Sequence, residues 1–423
     1  MNKLSIKKKN LLLVWIPFLI ITGSIFFDLL NGFIQIVLNK NFSIGVIYRG
    51  IFLLALFPYA LKKQTILTNS FIFIVFFFVI ANYIWLLSQS FYDPVFEIKM
   101  ISRSVYLYVI SSFFIYYRNT IETKKLLKFV LLFGVIGGTA IIFSYITGIG
   151  LDTYGDYAFG IKSFFPAQND TSLALLLALL IAIYIFIKQR KFIYFIYAIV
   201  ITTGCFLLGT RAGIAGSILV WITVFGGLFF FKFKDINISR LSKGIVFIIF
   251  ILVLSVGIWI GLQIVVDNQY LLNKFTIDAL VGGQARGRLA EAGEKIILES
   301  DFIDLFFGHG KFAHSITINY LVEGNFNELS QAEIDYLDYI GSYGIILGGI
   351  FLLIPFLFLL RSALTFFKNK TLFNFILMLG FIFYAGHSFY AGHAINSPIV
   401  STVFSVYIFF VYMLYQECSE KAY

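Results

Sequence analysis

The sequence predicts an all-α polytopic membrane protein with about twelve transmembrane helices. Three observations predict it. Hydrophobic residues fill 60% of the 423 positions and charged residues only 13%, well below the roughly one-quarter charge of soluble domains. The mean hydropathy is +0.90. Apolar runs of about 20 residues, the length that crosses a hydrocarbon core, recur along nearly the whole chain. This composition excludes a soluble enzyme, a secreted disulfide scaffold and a single-anchor receptor. Cys205 in an apolar run and Cys418 in the C-terminal tail do not suggest a bridge.

The spans are expected at roughly 11–29, 43–61, 70–90, 99–117, 126–148, 170–187, 192–209, 212–231, 245–266, 339–360, 372–392 and 395–415, within a single integral membrane domain, 1–423. Lys7, Lys8 and Lys9 precede a long first span with no small-residue cleavage site after it, so it reads as a span and not as a removable signal. Charge sets the orientation. With the N-terminus inside, the inner connections collect most Lys and Arg, and only Glu122, Asp235, Glu417 and Glu420 among the acids. This positive-inside bias predicts both termini in the cytoplasm. The net charge of +10 is therefore a topology signal, and nucleic acid is not an expected partner. Between the ninth and tenth spans, residues 267–338 form an expected extracytoplasmic (periplasmic) loop, too long for a passive link. Within it, 286–299 reads as an amphipathic helix and Gly308-His309-Gly310 as a turn.

Charge in a membrane span is costly, so its position is informative. Most spans carry none; the exceptions gather near one face. Arg49 and Arg103 fall in the outer turns of the second and fourth spans, and Arg211 stands in the hairpin between the seventh and eighth. Arg286 and Arg288 open the loop helix. Five guanidinium groups are thus expected at the outer rim, and arginine suits a diphosphate because its planar fork bonds bidentately and stays charged. Snorkelling to the interface is the plainer reading for Arg49 and Arg103. Arg211 differs, being set among small residues in Gly209-Thr210-Arg211-Ala212-Gly213. Glu328, Glu333, Asp335 and Asp338 cluster before the tenth span, where a carboxylate would deprotonate a sugar hydroxyl or simply form a solvated acidic rim. His309 and His314 are alternative bases. His387 and His393, in Ala-Gly-His settings, serve as well for an interhelical hydrogen bond. No metal-ligand spacing appears, so neither metal nor cofactor is expected.

Three stretches carry a resemblance. Gly209-Thr210-Arg211-Ala212-Gly213 looks like a Ser/Thr-Arg-Gly/Ala motif opening a span. Gly287-Arg288-Leu289 followed by Gly308-His309-Gly310 is similar to a Gly-Arg before a helix and a later Gly-x-Gly turn. Glu333-Ile-Asp-Tyr-Leu through Gly348 is similar to a His-Asn-x-Tyr-Leu segment leading to Gly-x-x-Gly. In order and spacing, over roughly 205–350, these resemble the O-antigen polymerase and O-antigen ligase superfamily of bacterial polytopic glycosyltransferases. Glu333 replaces the usual family histidine, and the aromatic residue after Gly-Arg is missing.

The resemblance implies metal-independent glycan transfer at the outer face of the bacterial plasma (inner) membrane, from an undecaprenyl-diphosphate-linked oligosaccharide. Arg211 and Arg288, assisted by Arg286 or Arg103, would hold the diphosphate. Glu333 would take the acceptor proton, with Asp335 or His309 as substitutes. The acceptor in a polymerase is another lipid-linked repeat unit of an O-antigen or exopolysaccharide, and in a ligase it is lipid A-core. The same pathway implies a flippase and a chain-length regulator as partners. From a different class, a lipid-linked oligosaccharide flippase or other transporter would place polar groups deeper in its spans.

Overall fold

The computed structural model describes residues 15–38, 44–62, 65–88, 91–153, 160–236, 255 and 284–420. They are almost entirely helical. Among the described residues ten helices are long and apolar enough to cross a membrane, which makes the chain a multi-pass membrane protein. The expected span at 245–266 lies outside the described residues apart from residue 255, as does the start of the expected loop.

In chain order the helices are α1 (Ser24–Leu38, entered through a π-helical turn, Leu19–Gly23), α2 (Ile44–Lys62), α3 (Ile66–Ser88), α4 (Pro94–Tyr116) and α5 (Thr123–Thr147). A short antiparallel pair, β1 (Leu151–Asp152) and β2 (Ile161–Ser163), leads into α6 (Gln168–Gln189). Then come α7 (Phe192–Leu207) and α8 (Arg211–Phe230). At 16 residues, α7 is an apolar helix shorter than the ten.

After the undescribed stretch follow α9 (Gln284–Glu299), α10 (Phe302–Phe307) and α11 (Lys311–Glu323). They precede α12 (Asp335–Tyr343), which a π-turn at Gly344–Gly348 joins to α13 (Gly349–Lys368). The expected tenth span is thus helical from Asp335, four residues earlier than the apolar run alone suggested. Finally α14 (Leu372–Tyr390) and α15 (Pro398–Glu420) close the bundle.

The apolar helices sort by what surrounds them. Helices α4, α6 and α15 are mostly buried and form the centre of the bundle. Helices α2 and α3 turn Ile51, Leu54, Val79 and Leu87 outward, the surface expected against lipid tails. Without a hydrophobic drive inside a membrane, helices hold by close backbone approach and interhelical hydrogen bonds. Both occur here. A Cβ on Gly204 of α7 would lie 2.7 Å from the Gly138 Cα of α5, so only glycine permits that crossing. The buried Tyr407 hydroxyl of α15 donates to the Leu177 carbonyl of α6 at 2.7 Å.

Residues 284–337 build their own small core from Ala292, Ile296, Ile318, Ala332 and Leu337. The expected amphipathic helix is α9, whose apolar face supplies Ala292 and Ile296. The turn at Gly308-His309-Gly310 uses left-handed backbone at both glycines, φ 78° and 81°, which other residues adopt at a cost. It wedges between the spans: the His309 and Gly310 amides donate to the Gly341 and Ser342 carbonyls, and Trp85 Nε1 donates to the Gly308 carbonyl at 2.7 Å.

Candidate functional site

Helix starts converge on one cavity of about 270 Å³. Helix α4 begins where it does because Asp93 caps the Val95 and Phe96 amides and Pro94 occupies the first turn. That start places Lys99, Ser102, Arg103 and Tyr106 on one helical face, all lining the cavity. Opposite, α2 presents Val46, Arg49, Gly50 and Leu53 at the same spacing. Its first amide, Ile44, donates to Asn31 Oδ1 at 2.8 Å, which ties α1 to α2. Asp170 and Thr171 come from the first turn of α6, and Asn396, Pro398 and Ile399 from the start of α15. Helix N-termini carry partial positive charge, so their convergence favours an anion.

The side chains add to that field. Arg49 is bound to Asp28, and its buried Nε has no hydrogen-bond partner. Arg103 is half-buried, and among the described residues it makes no ion pair. Its Nη1 reaches only the Met100 sulfur, at 3.8 Å. A partly desolvated guanidinium with Asp170 near it but in no ion-pair contact is incompletely compensated, and a bound anion would relieve it. Lys99 stands exposed and unpaired among the described residues. Gly50 faces open space, with nothing within 4 Å of where a Cβ would be.

The five arginines expected at one rim divide four ways. Arg49 and Arg103 share the cavity. Arg286 is engaged elsewhere: its Nε and Nη2 each lie 2.8 Å from Glu333 Oε2, and its Nη1 donates to the Tyr390 carbonyl. Arg288 is exposed beside a second, polar cavity of about 410 Å³ lined also by Asn319, Glu323, Asn325 and Glu328. Arg211 opens α8 just after Thr210, whose hydroxyl caps the Gly213 amide and meets the Ser172 hydroxyl of α6 at 2.5 Å. Arg211 is therefore close to the first turn of α6 but lines neither cavity.

The expected bases are also occupied. Glu333 holds Arg286 from a left-handed backbone, φ 58°. Asp335 is buried and accepts from the Ser388 hydroxyl at 2.7 Å and the Ala394 and Ile395 amides. His309 Nε2 meets the Ser300 hydroxyl at 2.8 Å, and its Nδ1 lies 3.4 Å from Asp304. Burial holds His309 below the usual histidine range, partly offset by Asp304. None of these three lines the Arg103 cavity.

Sequence reasoning missed Lys99, Asp28, Asp170 and Asn396. The signal was present for Asp28, an acid inside an apolar run. Sequence reasoning named Asp338 and His314 but missed Lys311 and Glu97, which join them in a buried cluster beneath α11. Lys311 Nζ lies 3.0 Å from Asp338 Oδ1, both side chains being almost fully enclosed, and Asp338 also accepts from the Ala332 amide. The Phe312 amide donates to buried Glu97 at 2.7 Å. His314 packs its ring against Gly341, and its Nε2 lies 3.8 Å from Asp338, too far for a hydrogen bond.

Burial brings His314 down to about 3, against the opposing pull of Asp338. The folded ring is thus neutral where an unfolded one would be charged. Between pH 6.5 and about 3 the unfolded chain binds the extra proton, so stability is full above 6.5 and falls on acidification. The loss should approach about 1.4 kcal/mol per pH unit. The denaturant midpoint for unfolding should fall from pH 7 to 4.5, and His314→Phe, which keeps a ring but cannot titrate, should flatten that dependence. An unchanged slope in the variant would remove His314 as its source.

Among the described residues no group of three His, Cys, Asp or Glu side chains is placed to hold a metal ion. No protein-family model matches this chain, and no curated protein matches it.

Proposed function

We propose that the protein is an O-antigen or exopolysaccharide polymerase, which moves an undecaprenyl-diphosphate-linked glycan onto another lipid-linked repeat unit. The observation that carries this reading is Arg103, a guanidinium in no salt bridge among the described residues, beside Arg49 and Lys99 in a cavity at helix starts. The positive-inside bias supports placing these starts at the outer face of a bacterial inner membrane, with both termini in the cytoplasm and twelve spans. The helical segment 284–323 would then lie in the periplasm.

In this reading Arg103, Arg49 and Lys99 hold the donor's diphosphate. An acceptor hydroxyl attacks C1 of the donor sugar, the bond from C1 to the phosphate oxygen breaks, and its electron pair leaves with the diphosphate. Charge grows on that leaving group, where fixed guanidinium groups stabilise it most. Arg211, whose helix start is tied to the first residues of α6 by the Thr210–Ser172 contact, would be a further cation for a moving substrate. The amide-rich cavity beside Arg288 offers partners for glycan hydroxyls.

Purified protein incubated with lipid-linked repeat units alone should build a ladder of longer lipid-linked chains. A product formed only when lipid A-core is added would make it a ligase. Movement of lipid-linked units across a proteoliposome without chain growth would make it a flippase. Transfer should survive EDTA, because guanidinium groups carry the charge compensation; loss of activity restored by a divalent ion would contradict that assignment.

A further inference from the structure

Two carboxylates line the Arg103 cavity, Asp28 and Asp170. They are not equivalent. Asp28 is buried and bound to Arg49, so its charge is committed. Asp170 is half-buried, faces the cavity from the first turn of α6, and makes no ion pair among the described residues. Its polar neighbours are His393, Ser397 and Arg103. Ser397 is fixed at the start of α15, where its hydroxyl accepts from the Val400 amide at 3.3 Å. His393 is turned towards this region by two successive left-handed residues, Gly392 at φ 61° and His393 itself at φ 62°. A carboxylate so placed is held from its own helix and from α15, yet remains open to whatever enters.

The acids named from sequence before the tenth span, Glu333, Asp335 and Asp338, are engaged outside this cavity. Glu333 pairs with Arg286, Asp335 accepts three hydrogen bonds, and Asp338 pairs with Lys311. A general base must come within about 3 Å of the proton it takes. Only a group lining the cavity that holds the donor can do so there.

We propose that Asp170 is the general base that takes the proton from the acceptor hydroxyl, beside the guanidinium groups that hold the donor's diphosphate. The proposal rests on the polymerase reading above. As the acceptor oxygen bonds to C1, its proton passes to an Asp170 carboxylate oxygen. The diphosphate departs with the electron pair of the broken C1–O bond, and Asp170 returns its proton to water when the product leaves.

Asp170→Asn keeps the shape and hydrogen-bonding capacity but cannot accept the proton. Two readouts separate its roles: ladder growth from lipid-linked repeat units extracted from producing cells, and binding of geranylgeranyl diphosphate to purified protein. Transfer should fall about 100-fold or more, binding should stay within about threefold, and Asp170→Glu should recover part of the transfer. Undiminished transfer by Asp170→Asn would overturn the proposal. So would parallel loss of binding and transfer, which would make Asp170 a support for Arg103 and not a base. A wild-type protein that neither extends the ladder nor binds the diphosphate would instead overturn the polymerase reading itself, and this role with it.

Discussion

Arg103→Ala should abolish chain growth, lowering transfer at least about 100-fold, the scale on which losing one fixed stabilising group acts. The expectation follows from what Arg103 lacks. Among the described residues it makes no salt bridge: its hydrogen bond is to the Met100 sulfur, and Asp170 is a neighbour acting at longer range, so the effect of the substitution should fall on anion binding. Arg103→Lys should recover little, since an ammonium cannot reproduce the bidentate fork. A second variant guards against a trivial loss of fold. Gly50→Leu adds a side chain where nothing lies within 4 Å, and replaces glycine in a helix interior with a better helix former. It should leave the folded yield unchanged while filling the cavity and stopping transfer. Wild-type ladders from both variants would remove the cavity from the mechanism.

Lys311→Met should destabilise the α9–α11 segment by about 3–5 kcal/mol, because it strands the Asp338 charge in an enclosed site. The side chains of Lys311 and Asp338 are 4% and 3% exposed, so water cannot replace the lost partner. Chymotryptic cleavage within 300–332 should quicken sharply. Lys311→Met combined with Asp338→Asn removes both charges and should be less damaging than the single change. Equal cleavage of wild type and Lys311→Met would show that the pair does not hold the segment. The pair matters to function through position: Lys311 and Phe312 dock the segment on α12 and on Glu97, two residues before Lys99 in α4.

The helical architecture was legible because lipid imposes a simple code of apolar length, and ten helices follow it. Helix α9 was legible from its amphipathic pattern, and the Gly308–Gly310 turn from its glycines. Partnerships were not. Arg286 and Glu333 were read as clamp and base, yet they bond each other, a pairing across 47 positions that no local pattern encodes. Arg49 and Arg103 were open to a snorkelling reading, since position along a span does not say which way a helix is rotated. Asp170 went unread, because only the packing of α2, α4 and α15 around the start of α6 makes it a cavity residue. Lys311 was hidden because a lysine beside a glycine turn normally faces water, and its burial depends on Asp338 from another helix.

The most direct measurement is a cryo-electron microscopy map of the protein in lipid nanodiscs with bound geranylgeranyl diphosphate. Density for the two phosphates is expected against the guanidinium groups of Arg103 and Arg49, within hydrogen-bonding distance of Arg103. Phosphate density at Arg211 or Arg288 with the Arg103 cavity empty would contradict the assignment of the anion site.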